Sequence, residues 1–463
     1  MDESAAMQTV TIGYVPTRRD VFSKEEALRY RTLVHKKISA WQAEIVDIDD
    51  INDEGLLFDE HDLPAIRKKM EDHLVDGLFF PHCNFGTEDL VAKLAKTVGK
   101  PVLLWGPRDD APLADGLRTR DTQCGLFATG KVLRRFNIPF TYIENSWVDA
   151  PVFAQGYRNF VAVCAAVKAF RQLRILQLGT RPDAFWSVIC NEGELLERFG
   201  VQIFPVSLID LIEEIKSLLA NKNAAFAETA RKIRAMIQID AKDADDLEKL
   251  VALKLAIRGM CEQHGCACAA IQCWHAMQKG IGIMPCAVNG MLAEEGIPVT
   301  CETDIHGAIT AALLQAASLS TSPVFFSDLT VRHPTNDNAE LLWHCGNFPP
   351  SLAESPKTLT HHYIFPSHKY GVGEWKIRSG DVTVCRFDGD HGEYRLFIGE
   401  GRGTDGPRTK GTYFWLEVDD WPKWERTLVE GPYIHHCAAV HGKFANILEE
   451  SCKYIGGIAV DRM

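Results

Sequence analysis

The stretch Gly296-Ile297-Pro298-Val299-Thr300-Cys301-Glu302-Thr303-Asp304-Ile305-His306-Gly307 decides how the chain is read. A short β-favouring run over 298–301 leads into two carboxylates and then, from about His306-Gly307, into an apolar helical pattern. That is the junction between a buried parallel strand and the helix that follows it. In open α/β sheets, ligands settle in the crevice outside such strand ends. Glu302 and Asp304 therefore either face a ligand, with the helix N-terminal dipole beside them, or simply cap the helix. Spacing alone leaves both roles open.

Outward from this junction the same alternation repeats. On its N-terminal side lie apolar runs at 174–179, 201–206 and 268–272, with helices between them. An earlier series occupies 10–15, 43–48, 77–81, 101–105 and 139–143, separated by helix-compatible stretches at 23–41, 63–74 and 88–98. These predict two α/β domains, each a doubly wound, Rossmann-like parallel sheet. A boundary is expected near residue 170, where a helix over 152–170 ends; Pro151 suits the first turn of that helix. The charged helices around 221–263 read as a solvated or subunit-facing addition. Beyond about 320 the texture turns β-rich, at 323–331, 340–345, 382–387, 394–399 and 412–418. Turn signals such as Ser379-Gly380-Asp381 and a loop over 399–411 predict antiparallel strands or a small barrel, closed by a helix at 444–454 and a strand at 458–460. The expected division is 1–170 (N-terminal α/β), 171–320 (central α/β, carrying Glu302) and 321–463 (β-rich and barrel-like, carrying Asp328, His344 and His436).

Composition narrows the function classes. The 463 residues carry 50 Lys and Arg against 62 Asp and Glu, a net charge of −12, which argues against a nucleic-acid binder or a partner of anionic lipid. The longest apolar run, 160–167, falls far short of the ~20 residues needed to span a bilayer. The acidic start, Met1-Asp2-Glu3-Ser4, lacks the basic and apolar regions of a signal peptide. The 14 dispersed cysteines are thus expected to be reduced thiols in a cytoplasmic protein, packing as small hydrophobes.

Chemistry gathers in the last third. The run 323–326 ends in Ser327-Asp328, a second carboxylate at a second strand end. Trp343-His344-Cys345-Gly346-Asn347 follows, and Ile434-His435-His436-Cys437 adds paired imidazoles ahead of an apolar run. Carboxylates with one or two histidines suit Mn²⁺, Mg²⁺ or Co²⁺ better than structural zinc, which favours thiolates. The rival cluster His264-Gly265-Cys266-Ala267-Cys268 lacks the second cysteine pair of a zinc site and reads as core packing. Gly399-Glu400-Gly401-Arg402-Gly403 has no helix after it, so it reads as a hairpin loop rather than a phosphate loop, and no Gly-x-Ser-x-Gly elbow occurs.

The blocks 296–307, 323–328, 342–347 and 431–442, in this order and at these separations, resemble the L-fucose/L-arabinose isomerase superfamily. The upstream block Gln272-Cys273-Trp274-His275-Ala276-Met277-Gln278, followed by Gly282-Ile283-Met284-Pro285-Cys286, is similar to its short, fucose-isomerase-like branch. In the first domain the readable matches are 13–19 and 121–125. The resemblance implies an aldose–ketose isomerase that uses a divalent metal, usually Mn²⁺. Carried over position by position, it makes Glu302, Asp328 and His436 the metal ligands, with His344 a further candidate. It makes Glu302 and Asp328 the carboxylates of proton transfer, with His435 as the neighbour that turns away. Arg18, Gln123, Trp274 and Asn347 fall where family members meet the sugar. The resemblance also implies a homo-oligomer, trimer or hexamer, with active sites completed across subunits. The substrate is expected to be a pentose, a 6-deoxyhexose or a C6-modified hexose, including an anionic, sulfonated one. A sugar epimerase or lyase on the same scaffold, or a non-catalytic sugar-binding regulator, are the alternatives.

Overall fold

A computed structural model describes residues 9–41, 43–239, 243–354 and 356–463. The chain separates into two compact units, one ending at Lys168 and the other running from Ala169 to Met463.

In the first unit, five strands form a wholly parallel sheet: β1 (Thr11–Tyr14), β2 (Glu44–Val46), β3 (Gly77–Pro81), β4 (Val102–Trp105) and β5 (Thr141–Tyr142). Their order is β2-β1-β3-β4-β5, the doubly wound arrangement expected. Every residue of β3 and β4 is buried, because helices cover both faces of a parallel sheet. That double cover is why these strands appear in the sequence as unbroken apolar runs.

The second unit opens on another parallel sheet: β6 (Arg174–Leu178), β7 (Gln202–Val206), β8 (Cys268–Ile271) and β9 (Val299–Thr300), ordered β7-β6-β8-β9. The order reverses between β6 and β8, which makes their carboxyl ends the switch point of this sheet. Gly179, just after β6, holds φ at +82°, and a Cβ there would stand 2.7 Å from the Gln272 side chain after β8. The backbone thus turns away into the crevice at a position only glycine occupies without strain.

The charged region 221–263, expected as a solvated addition, is core in its last helix. Over Ala244–His264, Leu247, Leu250, Val251, Ile257 and Cys261 are all buried. Ala252, Leu253, Lys254 and Ala256 are buried too, so the helix is covered round most of its circumference rather than along one stripe, and the interspersed charges conceal this from a reading of composition.

The remaining nine strands are β10 (Phe325–Arg332), β11 (Ala339–His344), β12 (Thr358–His361), β13 (Tyr370–Lys376), β14 (Asp381–Asp390), β15 (Glu393–Gly403), β16 (Thr412–Glu417), β17 (His436–His441) and β18 (Ile458–Arg462). They run in the order β12-β13-β16-β11-β10-β17-β14-β15-β18, and a further β15–β16 pairing closes six of them into a barrel. The expected loop over 399–411 is shorter than that, because β15 continues to Gly403. Gly399, Gly401 and Gly403 alternate along one face of the strand. A Cβ on them would meet Trp424 at 2.2 Å, the Glu417 carbonyl at 2.5 Å and Ser379 at 2.5 Å. The glycines make room for close packing inside a strand rather than a turn. Sheet and barrel share one core, in which Leu176, Ile271 and Val299 pack in the same cluster as Phe325, Val384 and Phe414. No helix among the described residues is long and apolar enough to cross a membrane.

Candidate active site

Four chain segments bring their side chains to one place. β9 ends at Thr300, and Glu302 and Thr303 both take φ of +54° before the helix Ile305–Ala317 begins. Two consecutive non-glycine residues in the left-handed region are uncommon, and such strain concentrates at functional sites. Asp304 caps the helix, its Oδ1 accepting from the Gly307 N–H at 2.9 Å. In the barrel, β10 and β17 pair antiparallel with Asp328 directly opposite His436. His436 Nε2 consequently lies 3.5 Å from Asp328 Oδ1 and 3.7 Å from Glu302 Oε2. His344, at the end of β11, points its Nε2 at Asp328 Oδ1 from 3.9 Å. Glu302, His344 and His436 are buried and Asp328 is nearly so.

A network behind this cluster orients it. The His436 Nδ1–H donates to Asp304 Oδ2 at 2.9 Å, which leaves Nε2 as the face turned toward Glu302 and Asp328. Arg386 grips both Asp304 oxygens, with Nη1 on Oδ2 and Nη2 on Oδ1 at 3.2 Å. The same guanidinium donates through Nε to Asp388 Oδ2 at 2.9 Å, and Asp388 Oδ1 meets His306 Nδ1 at 2.8 Å. The carboxylate–histidine pairing is the arrangement that fixes the tautomer of a ligating imidazole.

Electrostatics divides the acids into two kinds. Burial works against ionisation of Asp304, but Arg386 and His436 hold its carboxyl far below the usual range. Asp328 has no such partner, and burial pushes it up to about 7, with the Glu302 and Asp304 charges adding to the rise. Burial likewise raises Glu302. The His436 ring is raised despite its burial, through the Asp304 bond and the charges of Asp328 and Glu302. Burial and the neighbouring His436 push His344 down to about 3, so it is neutral.

The donors in this pocket fit a hard cation. Glu302 Oε1 is engaged, accepting from the Trp274 indole N–H at 2.8 Å and from the Cys273 thiol at 3.2 Å. Its Oε2, Asp328 Oδ1 and His344 Nε2 are buried with no hydrogen-bond partner, a combination that native interiors rarely leave unexplained. Ligand atoms of Asp328, His435 and His436 lie within 4.8 Å of one another, and so do those of Cys273, Cys301 and Glu302. Burial raises the Cys273 and Cys345 thiols well above their ordinary value, so they stay protonated and are poor metal ligands. What remains is an oxygen-and-nitrogen set suited to Mn²⁺ or Mg²⁺ rather than to thiolate-bound zinc. His344 differs from His436: its Nδ1 accepts the Cys345 N–H at 2.8 Å. The proton of the neutral ring then sits on Nε2, which makes that atom a donor toward Asp328.

The other sequence-nominated residues divide between the units. Trp274 stands on Glu302 itself. Asn347 is buried with its amide nitrogen 3.9 Å from Cys301 Sγ, beside the residue preceding Glu302. His435 is exposed, its ring 4.4 Å from that of His436. Arg18 belongs to the first unit, where it pairs with Glu54 through Nε at 2.5 Å and lies over the Phe58 ring. Gln123 is exposed there, in the first turn of the helix Thr122–Arg135.

Sequence reasoning did not find Arg386, Asp388 or Phe185. The first two left a signal, a charged pair inside the apolar run of β14. Phe185 left none: it reaches the site from the loop after β6, its ring 4.9 Å from Trp274 and 6.4 Å from His436. Beside Trp274, at the β6/β8 switch point, lies a cavity of about 720 Å³. Pockets of this size accept small molecules.

Residues 13–171 match the model of the fucose/sulfoquinovose isomerase N-terminal domain, and 342–463 match that of the L-fucose isomerase C-terminal domain. A sulfoquinovose isomerase of Priestia aryabhattai is 25% identical over 400 residues, covering 86% of each chain. One from Alkalicoccus urumqiensis is 26% identical over 339 residues, covering 73% of this chain and 74% of its own. Another, from Clostridium sp. (strain MSTE9), is 25% identical over 336 residues, 72% of this chain and 73% of its own. With matching domains at both ends and relatives spanning most of its length, the chain belongs to the fucose isomerase-like superfamily of aldose–ketose isomerases.

Proposed function

We propose that the enzyme interconverts sulfoquinovose, an aldohexose with a sulfonate at C6, and its 2-ketose, in the cytoplasm and with a divalent cation, Mn²⁺ first. The observation that carries this reading is the convergence of Glu302, Asp328 and His436 on one point, with unpartnered oxygens turned inward. The shared name of the relatives supports the substrate. Glu302, Asp328 and the Nε2 of His436 would hold the cation, with His435 near at the rim and His344 beside them as a donor. When bound, a divalent cation there polarises the sugar carbonyl and offsets the negative charge that develops as it enolises.

The chain's own groups move the protons. The isomerisation takes the C2 proton of the aldose and returns one to C1, while a second proton passes between O1 and O2. Asp328 and Glu302 are the carboxylates proposed for this exchange; with a cation held between them, both would stay ionised and able to accept the C2 proton. Glu302, pinned at Oε1 by Trp274 and Cys273, keeps Oε2 free and fixed in direction. The His344 Nε2–H is placed to donate to a sugar oxygen or to Asp328. Trp274 and Phe185 supply an apolar wall against which a ring or open chain can lie and water is displaced. Arg18, Gln123 and Asn347 remain proposed sugar contacts, and a trimer or hexamer the proposed assembly.

The test is direct. Metal-stripped protein is mixed with sulfoquinovose, alone and with Mn²⁺, in H₂O and in D₂O, and the products are followed by NMR. Conversion that depends on Mn²⁺, with deuterium entering at C1 of the ketose, is expected. Glu302→Gln and Asp328→Asn should each lose it by at least about a thousandfold. Turnover of fucose or arabinose with none of sulfoquinovose would overturn the substrate, and full activity in either variant would overturn the site.

A further inference from the structure

The cavity at the switch point carries charge that proton transfer does not use. It is lined by Thr180 and Arg181 after β6, by Gln272, Trp274 and His275 after β8, and by Lys279. Neither Arg181 nor Lys279 forms an ion pair among the described residues. Arg181 donates through Nη1 to the backbone carbonyls of Pro182 and Asp183, at 3.0 and 2.9 Å, which sets the direction of its guanidinium. Asp183 is the acid of the lining, and its Oδ1 accepts from the Ala184 N–H at 2.8 Å. Two permanent cations against one carboxylate leave the cavity net positive, on a chain whose overall charge is −12.

This positive end is joined to the carboxylate end by single residues. Trp274 lines the cavity while its indole N–H donates to Glu302. Phe185, on the Arg181 loop, packs against Trp274 and against the His436 ring. Glu302 and Asp328 are not in the lining, and Trp274 is the residue shared between cavity and carboxylates. A six-carbon sugar with C1 and C2 at Glu302 and Asp328 would pass Trp274 to place its C6 in this cavity.

We infer that Arg181 and Lys279, with the His275 ring, form the subsite for the anionic C6 group of the substrate and so set its specificity. The inference rests on the isomerase reading above and goes further by placing the recognition of the acid. A sulfonate is ionised at every physiological pH and offers three acceptor oxygens to a guanidinium fork and an ammonium. A sugar with a hydroxyl or methyl at C6 would cover these cations without pairing them, which discriminates against it. A 6-phosphate shares the tetrahedral anion but adds charge and an ester oxygen; the sulfonate, joined directly through carbon, is the occupant assigned here.

The test compares charge-removing with charge-keeping variants of the Mn²⁺-loaded enzyme. Arg181→Met and Lys279→Met should each raise KM for sulfoquinovose about 10- to 100-fold, the range of a lost charge-assisted hydrogen bond. Arg181→Lys and Lys279→Arg should stay within about fivefold of wild type. In wild type KM should rise with added NaCl, and in the double Met variant it should not. Competition by glucose 6-phosphate, measured alongside, should be weaker than sulfoquinovose binding; tighter binding would transfer the subsite to phosphate and overturn the assignment. Wild type that turns over sulfoquinovose while both Met variants keep its KM refutes the subsite and leaves the isomerase reading intact. Wild type inactive on sulfoquinovose but active on a neutral sugar refutes the substrate. Melting curves of the variants should match wild type, since Lys279 is exposed and Arg181 partly so.

Discussion

Asp304→Asn separates the two tasks of one side chain. Asp304 Oδ1 caps the helix Ile305–Ala317 through the Gly307 N–H, while Oδ2 receives the His436 Nδ1–H and Arg386. An asparagine can keep its oxygen on Gly307, so the cap survives. Its NH₂ then stands where Oδ2 stood, facing the His436 Nδ1–H and a guanidinium N–H. Three donors cannot share that space, and the least costly relief is for His436 to move its proton to Nε2 and accept at Nδ1. That removes the lone pair presented to Glu302 and Asp328. Loss of such an orienting carboxylate typically costs 10- to 100-fold in metal affinity, about 1.4–2.7 kcal/mol.

Stability should fall as well, because the fully buried Arg386 loses one of its two carboxylates. Breaking a buried pair costs about 3–5 kcal/mol, and the remaining Asp388 contact argues for the lower end. The assay is Mn²⁺ titration of metal-stripped protein at fixed pH, with urea melts of the same samples. Asp388→Asn is the control: it strips Arg386 and His306 of a partner but leaves the His436 acceptor in place. It should lose stability and keep Mn²⁺ affinity within about threefold. The reasoning fails if Asp304→Asn binds Mn²⁺ as wild type does, or if the two variants lose affinity equally.

Two further outcomes follow from burial. Asp328 is raised in the folded protein from an ordinary 3.8 to about 7, so the native state holds its proton more tightly than the unfolded chain. That contribution to stability is present below about pH 4 and is lost as pH rises through about 7; the depressed Asp304 and Asp388 act only at lower pH. Measured against Asp328→Asn, urea melts of EDTA-treated wild type should therefore weaken between pH 4.5 and 7 as this carboxylate ionises, while Mn²⁺ affinity of wild type rises through the same window. The comparison cancels the buried histidines such as His344, held neutral with a pKa of about 3, which act with the opposite sign in that window. An affinity flat from pH 5 to 7.5 would remove Asp328 from the ligand set. Among the 14 cysteines Cys124 is exposed, and Cys190 and Cys345 are partly so. Ellman's reagent should thus titrate one thiol at once in native protein and all 14 in guanidinium, and immediate reaction of five or more would contradict the packing.

How far the sequence could be read depended on which interactions are local. The parallel strands were legible because burial on both faces makes each a continuous apolar run, and 77–81 coincides with β3 residue for residue. The barrel was legible as a class but not in its pairing. β12 and β13 carry histidines and glycines in place of an apolar pattern, and Gly399, Gly401 and Gly403 imitate a loop inside β15. Glu302 could be picked out by its place just past a strand end, whereas Asp328, expected at the end of a second strand, lies inside β10 (Phe325–Arg332), which continues four residues beyond it. That Asp328 stands opposite His436 is a matter of antiparallel register between distant strands, and no spacing in the sequence carries it. Arg386 and Asp304 are likewise brought together only by the barrel folding against the sheet.

The charges of the site explain why that long-range pairing matters. Four acids, Glu302, Asp304, Asp328 and Asp388, are gathered around one permanent cation, Arg386. Arg386 is committed to Asp304 and Asp388, so Glu302 and Asp328 are left to each other and to an imidazole; burial raises both pKa values, and the Asp304 charge adds to the rise at each. With both oxygens engaged, Asp304 cannot turn inward to compete as another ligand. The surrounding cysteines serve the same economy. At Cys273 a protonated thiol gives Glu302 Oε1 a weak donor and fills space without adding charge, whereas a carboxylate there would deepen the repulsion. A lysine would neutralise Glu302 internally and leave it nothing to offer a metal. Counted with neutral imidazoles, four acids against Arg386 leave three negative charges, of which a divalent cation offsets two and a monovalent one only one.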